Sequence, residues 1–414
     1  MKATEYRIAL KHLGKINPEN IDDYIARGGY EALVTALDME PARVVEEIAK
    51  SGLRGRGGSG FSAAQKSRST GETTKWNVQR YIVCNGDESE PGTFKDRIIM
   101  ENDPHLLIEG MVIGAYAIGA SKGFIYIRGE YANAIRLIRK AIKDAGTKGY
   151  LGKNIAGSEF SMEIEVKPGA GSYLGGDGFS MLETIEGKRG TPRVRPPLPM
   201  EKGLFGKPTL INNVETLAHL PSIIVNGGAW YASIGTETSK GTKIFTVTGD
   251  VNNPGFFEVV MGTTLRTLIE DLAGGMKEGM KFKAALLGGA AGTFIPEEFL
   301  DTPLCYDAMN EQGFHLGAGA VIVYSEQRNL ADTVSSLLRF FQYNSCGKCV
   351  PCRVGTTQLL RLSHQLKEAG ADKQPILEDM MIQATMMAKT SLCAVGQSPV
   401  LPLGSALKYF RNDF

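Results

Sequence analysis

The sequence predicts an α/β protein in three parts: a three-layer α/β domain, a smaller α+β module and a helical C-terminal region. Three observations carry this. Short apolar runs alternate with helical stretches as far as about residue 235, the pattern of helices packed on both faces of a sheet. Near Lys240 the pattern changes to a hairpin and short strands. From Asn329 only helical spacing remains. At 414 residues the chain has room for two or three such cores.

The first forty residues read as surface-rich helical structure, with "PENIDDYIARGGYEALVTAL" broken at Gly28-Gly29. "EPARVVEEIAKSG" predicts a helix from Glu40, with Pro41 in its first turn and Val44, Val45 and Ile48 on one face. A glycine loop follows, then the buried strand "RYIVCN", the buried helix "LLIEGMVIGAYAIGA" and the strand "GFIYIRGEY". "ANAIRLIRKAIKDAG" spaces its apolar residues as an amphipathic helix ending at Gly146. Beyond it, "KIFTVTGDVNNPGFFEVV" predicts a hairpin turning at Asn252 to Gly255, "TLRTLIEDLAG" a helix stopping at Gly274, and "AVIVYSEQ" a strand. "LADTVSSLLRFFQY", "TTQLLRLSHQLKEAG" and "QPILEDMMIQATMMAK" complete the helical region. There is no internal repeat.

Composition excludes some functions. Lys plus Arg is 46 and Asp plus Glu 45, a net charge of +1, which lacks the basic field a general nucleic-acid binder needs. Met1 to Ala9 is polar, without the apolar core of a secretory signal. The charge-free stretch Thr216 to Thr236 carries His219, Pro221, Asn226, Gly227 and Gly228, so it is no membrane span. A cytoplasmic protein without direct membrane insertion is expected. Glycine is the outlier: 50 residues, about 12% against an average of about 7%, which points to loops that turn tightly or approach a ligand.

Of six cysteines, Cys346, Cys349 and Cys352 form C-x2-C-x2-C in "SCGKCVPCRVG", and Cys393 follows in "SLCAVG". Three thiolates at this spacing suit one face of a [4Fe–4S] cubane that a distant fourth closes. Zinc is the rival ligand, although its sites usually present two separated pairs, and structural thiols are the bland reading. Gly347, Pro351 and Gly355 suit a tight loop opening a helix whose amide dipoles favour an anionic cluster. Cys84 and Cys305 lack ligand spacing, and Cys84 reads as a small buried hydrophobe.

"GLRGRGGSGF" contains Gly55, Gly57 and Gly60 as G-x-G-x-x-G, but it follows a helix where a dinucleotide fingerprint follows a strand. By itself it could be a connector. "NGDESEPGTFKDR" sets acidic groups just after a strand, where sugar hydroxyls or a flavin's polar edge would sit. "KPGAGSYLGGDG" enters the helix "FSMLETIEG", whose first amides could hold a phosphate or an anionic ring. Asn212 and Asn213 stand near a helix start, with N-capping as the plain alternative.

These motifs in this order resemble the FMN-bearing NADH-dehydrogenase subunits of respiratory complex I. They are equally similar to relatives in soluble NAD-linked hydrogenases, formate dehydrogenases and electron-bifurcating complexes. The resemblance runs from "NPENIDDYIARGGYEAL" through "GLRGRGG", "EGKRGTPRVRPP" and "NNVETL" to "SLCAVG". It implies a Rossmann-like FMN- and NAD-binding domain over 1–238, a ubiquitin-like β-grasp (SLBB) module over 239–327 and a helical bundle with one [4Fe–4S] cluster over 328–414. Carried over by motif, the FMN contacts fall on Gly55, Arg56, Gly57, Gly58, Lys66, Asn85, Asp87, Glu88, Ser89, Gly176, Asn212 and Asn213. The dinucleotide side falls on Phe61, Glu90 and Arg195, the cluster ligands on Cys346, Cys349, Cys352 and Cys393, and Asp177 joins the cofactor-binding residues at a position where the chain departs from the motif.

The implied activity is that of a diaphorase-type subunit, moving electrons between NAD(H) and the cluster through FMN. No catalytic side chain is implied, because the flavin does the chemistry. A thioredoxin-fold [2Fe–2S] subunit and a further catalytic or Fe–S subunit are the implied partners. The chain departs from the family at the nucleotide side. "GAGSYLGGDGFSMLET" stands where the family usually reads "GAGAYICGEETALLES", so Asp177 and Gly178 replace two glutamates. Leu198 replaces the aromatic of "KPPFP", and Ser62 and Ser67 replace a proline and a tryptophan. The alternative is an electron-wiring subunit that keeps FMN and cluster but has a degenerate donor site.

Overall fold

Alternation along two strands shows why the first domain has three layers. In the computed structural model, which describes residues 5–72, 78–370 and 373–414, strands β1 (Tyr81–Gly86) and β2 (Lys122–Ile127) lie side by side in parallel. Ile82, Cys84, Ile125 and Ile127 enter the large core on one face, while Val83, Phe124 and Tyr126 enter a smaller core on the other. Period-2 side chains apolar on both faces require a cover on each.

The covers come in chain order. Helix α1 (Pro41–Ser51) buries Val44, Val45 and Ile48 and stops at Gly52, whose φ of +64° takes the left-handed cap. Helix α2 (Ala63–Glu72) follows the first glycine loop. Helices α3 (Lys95–Asn102), α4 (Pro104–Ile118) and α5 (Ala132–Thr147) build the large-core face. Asp103 caps α4 by accepting the Leu106 N–H, and Pro104 follows in its first turn. Helix α5 runs one residue past the expected Gly146. Strand β3 (Glu163–Pro168) pairs with β2, helix α6 (Gly178–Ile185) covers the opposite face, and β4 (Thr209–Asn213) pairs with β1 before helix α7 (Val214–Ala218). The order β3-β2-β1-β4, all parallel, leaves a topological switch point between β1 and β4.

The second sheet has order β6-β5-β9-β7-β8. Its strands are β5 (Thr242–Gly249), β6 (Gly255–Val260), β7 (Phe282–Leu287), β8 (Thr293–Ile295) and β9 (Ala320–Ser325). Only β5 and β9 pair in parallel. The predicted helix at "TLIEDL" is present but wound wide, with the Ala273 N–H donating to Leu268 O five residues back. Helices α8 (Leu330–Asn344), α9 (Val350–Glu368), α10 (Gln374–Thr390) and α11 (Val400–Tyr409) pack as the C-terminal bundle.

Residues 5–40 keep the expected helical stretches and many exposed side chains, and they also anchor the chain: Ile8, Leu10, Tyr24, Tyr30 and Leu33 are buried in the large core. Two buried carboxylates explain how polar backbone can sit there. Glu258 accepts the N–H groups of Ile8, Ala9 and Leu10, and Glu109 accepts that of Leu33 and the Tyr24 hydroxyl. Of the polar stretch Met1 to Ala9, residues 1–4 lie outside the described residues. Among the described residues no helix is long and apolar enough to cross a membrane.

Candidate functional site

The ends of β1 and β4 place Asn85 and Asn213 side by side in register at the switch point. The first glycine loop closes over them. It is no loose connector: Gly55 N–H donates to Phe61 O, and the Tyr306 hydroxyl donates to Gly55 O. A Cβ at Gly57 would lie 3.0 Å from Asn213 Cβ, so the absent side chain is what lets loop and strand end meet. Asn85 Nδ2 donates to Gly176 O at 2.9 Å, bringing the second glycine loop to the same place. A Cβ at Gly175 would overlap Asp87 Oδ2.

Two polar groups facing this cradle have unmet demands. Asp87 Oδ2 is buried and has no hydrogen-bond partner among the described residues. Burial raises the Asp87 carboxyl to about 7, with Arg128 opposing. Among the described residues the Lys66 ammonium has one hydrogen-bond partner, Ile211 O at 3.3 Å, with the Phe61 ring centroid 6.0 Å away, and burial lowers its pKa. An acceptor awaiting a donor and a cation awaiting an anion, beside glycine backbone at a switch point, fit the ring or ribityl donors and the phosphate of FMN.

Other expected contacts have different roles. The Arg56 guanidinium is fully buried and donates to Thr242 O, Arg54 O, Lys240 O and the Tyr231 hydroxyl. What it offers the cradle is backbone. The Glu88 carboxylate accepts the Asp96 and Arg97 N–H groups, capping α3. Ser89 Oγ reaches Tyr173 O at 3.5 Å. Asn213 is an N-cap, accepting Glu215 N–H, and also a network member: Nδ2 donates to Asp96 Oδ2 at 2.7 Å and Oδ1 accepts from Lys95 at 3.2 Å. Asn212 is buried next to it.

That network was not singled out from sequence. Lys95 pairs with Asp96 at 2.7 Å and Glu215 at 2.8 Å, all three buried. Burial alone would raise Glu215, but Lys95 and then Lys243 hold it at about 2. Lys243, pushed down to about 7 by burial, donates to Arg56 O and Ala318 O and so reaches the glycine loop from the second sheet. The available signal was charge inside apolar stretches, as with Glu215 in "NNVETL".

On the nucleotide side, Phe61 is 39% exposed and Leu198 40%. Glu90 accepts the Tyr173 hydroxyl at 2.7 Å, and burial raises it to about 7. Asp177 caps α6, accepting Ser180 N–H, and pairs with Arg195 at 2.7 Å. This corrects the reading of that helix start as an open anion site: its own carboxylate occupies it.

The four cysteines gather on one side of the bundle. Cys349 precedes α9, Cys352 lies in its first turn, and a Cβ at Gly396, three residues after Cys393, would lie 2.8 Å from Cys352 Cβ. Burial raises the Cys352 thiol, with the Cys349 and Cys346 thiols adding to it and Ser345 opposing. Burial pushes Cys393 to about 12, with Asp177, Cys352 and Cys346 adding. One C-x2-C-x2-C triplet with a distant fourth thiol is the donor set of a cubane, whereas zinc sites usually present two separated pairs.

One expectation follows from Asp87. Its proton is held up to about 7 when folded and to about 3.9 when unfolded, so the folded state carries more protons between those values. Stability of the flavin-free protein therefore falls as pH rises through that window, by about 2 kcal/mol after discounting partial exposure. Asp87→Asn should flatten the fall, measured by urea denaturation from pH 5 to 7.5. An unchanged slope would assign it elsewhere.

Comparison with known proteins agrees with this geometry. The model described as the Nuo51 FMN-binding domain matches residues 48–222, the SLBB domain 244–290, and the NADH-ubiquinone oxidoreductase-F iron-sulfur binding region 332–414. The chain is 42% identical to the HndC subunit of the NADP-reducing hydrogenase of Solidesulfovibrio fructosivorans, over 99% of this chain and 83% of that protein. It is 45% identical to the F subunit of the NADH-quinone oxidoreductase of Aquifex aeolicus, over 99% and 94%. Among solved structures, the NAD+-reducing [NiFe]-hydrogenase in the H2-reduced state matches with a TM-score of 0.84 at 33% identity. The match covers 99% of this chain and 66% of that one.

Proposed function

Because the chain belongs to the family of FMN-binding, iron–sulfur F subunits of NADH-quinone oxidoreductases and their hydrogenase relatives, we propose that it is the diaphorase-type subunit of a multi-subunit redox complex. The chemistry supplied by bound FMN is the conversion between two-electron exchange with NAD(H) and one-electron exchange with a [4Fe–4S] cluster. In this reading 1–238 bind flavin and nucleotide, 239–327 brace the cradle, and 328–414 carry the cluster. The assembly is a cytoplasmic hydrogenase, formate dehydrogenase or bifurcating complex, and a thioredoxin-fold [2Fe–2S] subunit and a further catalytic or Fe–S subunit take the electrons onward.

Each group of residues has a task. Backbone at Gly55 to Gly58 and Gly176 admits the flavin closely, Lys66 neutralises its phosphate, and Asp87 with Asn85 and Asn212 meets its polar edge. Asn213, Arg56, Glu88 and Ser89 hold these elements in register. Phe61, Glu90, Asp177 and Arg195 line the nucleotide side. Cys346, Cys349, Cys352 and Cys393 ligate the cluster.

The observation that carries the reading is that one segment bridges the cradle and the helical region that bears the four cysteines. Tyr173 hydrogen-bonds Glu90 at the cradle, packs edge-on against Phe340 at 4.9 Å between centroids, and takes Asn344 Oδ1 on its N–H. Asp177, four residues on, acts electrostatically on Cys393. The test is anaerobic stopped-flow mixing of the complex with NADH, and separately with NADPH, following flavin bleaching. NADH is expected to bleach it.

The wiring-subunit reading has one observation in its favour: Asp177 is engaged by α6 and Arg195, and Gly178 contributes no side chain. If neither nucleotide bleaches the flavin while dithionite does, that reading replaces the first. Leu198→Phe should restore a stacking ring to a 40%-exposed position. Stacking is worth about 0.5–1.5 kcal/mol, so NADH should bind up to about tenfold tighter, read from the concentration dependence of bleaching.

A further inference from the structure

We infer that Arg189 and Lys348 form a reciprocal clamp between the nucleotide-side segment and the cysteine loop, and that its positive charge raises the reduction potential of the cluster. Arg189 Nη2 donates to Cys346 O at 2.7 Å, reaching from the flavin domain into the ligand loop. Lys348, between Cys346 and Cys349, reaches back and donates to Pro192 O at 2.7 Å. The two bonds run in opposite directions across one junction. Arg353 adds a third cation, donating to Gly347 O. Among the described residues none of the three is in an ion pair, although most other arginines around this segment are: Arg193 pairs with Glu183 and Glu186, and Arg195 with Asp177.

Three cations without counter-ions among the described residues, on or bonded to the backbone of the segment that carries Cys346, Cys349 and Cys352, make sense if the charge they answer is the cluster's own. Reduction adds one electron and no proton to a unit already anionic through its thiolates, the electron coming from reduced flavin in the activity proposed above. A fixed cation favours that more negative state. Clamp and charge act together, since each bond holds its cation against the loop.

The inference rests on the cysteines holding a [4Fe–4S] cluster. The test is an anaerobic potentiometric titration of the full chain, loaded with FMN and iron, reading the reduced cluster by electron paramagnetic resonance. Arg189→Gln and Lys348→Met should each lower the midpoint potential, and the shift should shrink as salt is raised, because exposed charges are screened. Arg189→Lys, which keeps the charge, should stay near the unmodified protein. Flavin content should not change. Equal potentials in the unmodified protein and both neutral variants would overturn the inference, as would a shift indifferent to salt. Absence of any cluster signal in the unmodified protein would instead remove the reading beneath it.

Discussion

Cys349→Ser is expected to abolish the cluster, about four irons per chain in anaerobically purified protein, while leaving FMN bound. Cys349 is the residue before α9 and its side chain caps nothing there. Serine is a preferred N-cap, so the helix should persist and the loss should be one of ligation rather than folding. FMN should survive because the cradle is built from β1, β4 and two glycine loops, none of which includes the cysteine loop. The measurement is iron and flavin content on one sample. Cys305→Ser is the control, since Cys305 lies away from the group in the core of the second sheet and should keep its iron. Stoichiometric zinc in place of iron in the unmodified protein would reverse the assignment.

Gly57→Val should give a folded chain with weakened FMN binding, affinity falling by about five- to 150-fold. The new Cβ would point at Asn213, 3.0 Å from Cβ and 3.4 Å from Cγ, rather than into the flavin's space. Asn213 cannot give way cheaply, because Asp96, Lys95 and the Glu215 N–H all hold its amide. The loop must move instead, and overpacking of this kind costs about 1–3 kcal/mol, a tenfold change being about 1.4 kcal/mol. Gly146→Ala is the control, since its Cβ would meet nothing within 4 Å. Flavin released by heat from the unmodified protein should be FMN, not FAD. Full FMN occupancy in Gly57→Val would return the loop to a connector.

How far the sequence reached depended on the kind of signal. The strand at "RYIVCN", the helix from Pro41 and the helices after Asn329 were legible because periodicity and caps are local. The burial of Ile8, Ala9 and Leu10 was not, because the carboxylate that satisfies their N–H groups belongs to Glu258, about 250 residues away. The cysteine ligands were legible from spacing. The cradle was legible only in outline: Arg56 and Glu88 sit in the right motifs, yet their side chains bind backbone of the second sheet and of α3. Motif position reports which residues gather at a site and says little about which way each side chain turns. The lysine that has no carboxylate partner among the described residues and the orphaned carboxylate oxygen are visible only once the backbone is folded.

The burial of Arg56 also bears on how the protein is made. Its guanidinium is held by Thr242 O, 186 residues downstream, and by Lys240 O and the Tyr231 hydroxyl. A ribosome extending the chain delivers the whole parallel sheet before it delivers those acceptors. Until they arrive, the arginine has no dry place to go, and a solvated arginine leaves the loop over the flavin without its anchor. Cofactor capture is thus expected to wait for the second sheet. A nascent chain halted near residue 235 would hold every glycine of the cradle and the Tyr231 hydroxyl, but neither Lys240 O nor Thr242 O.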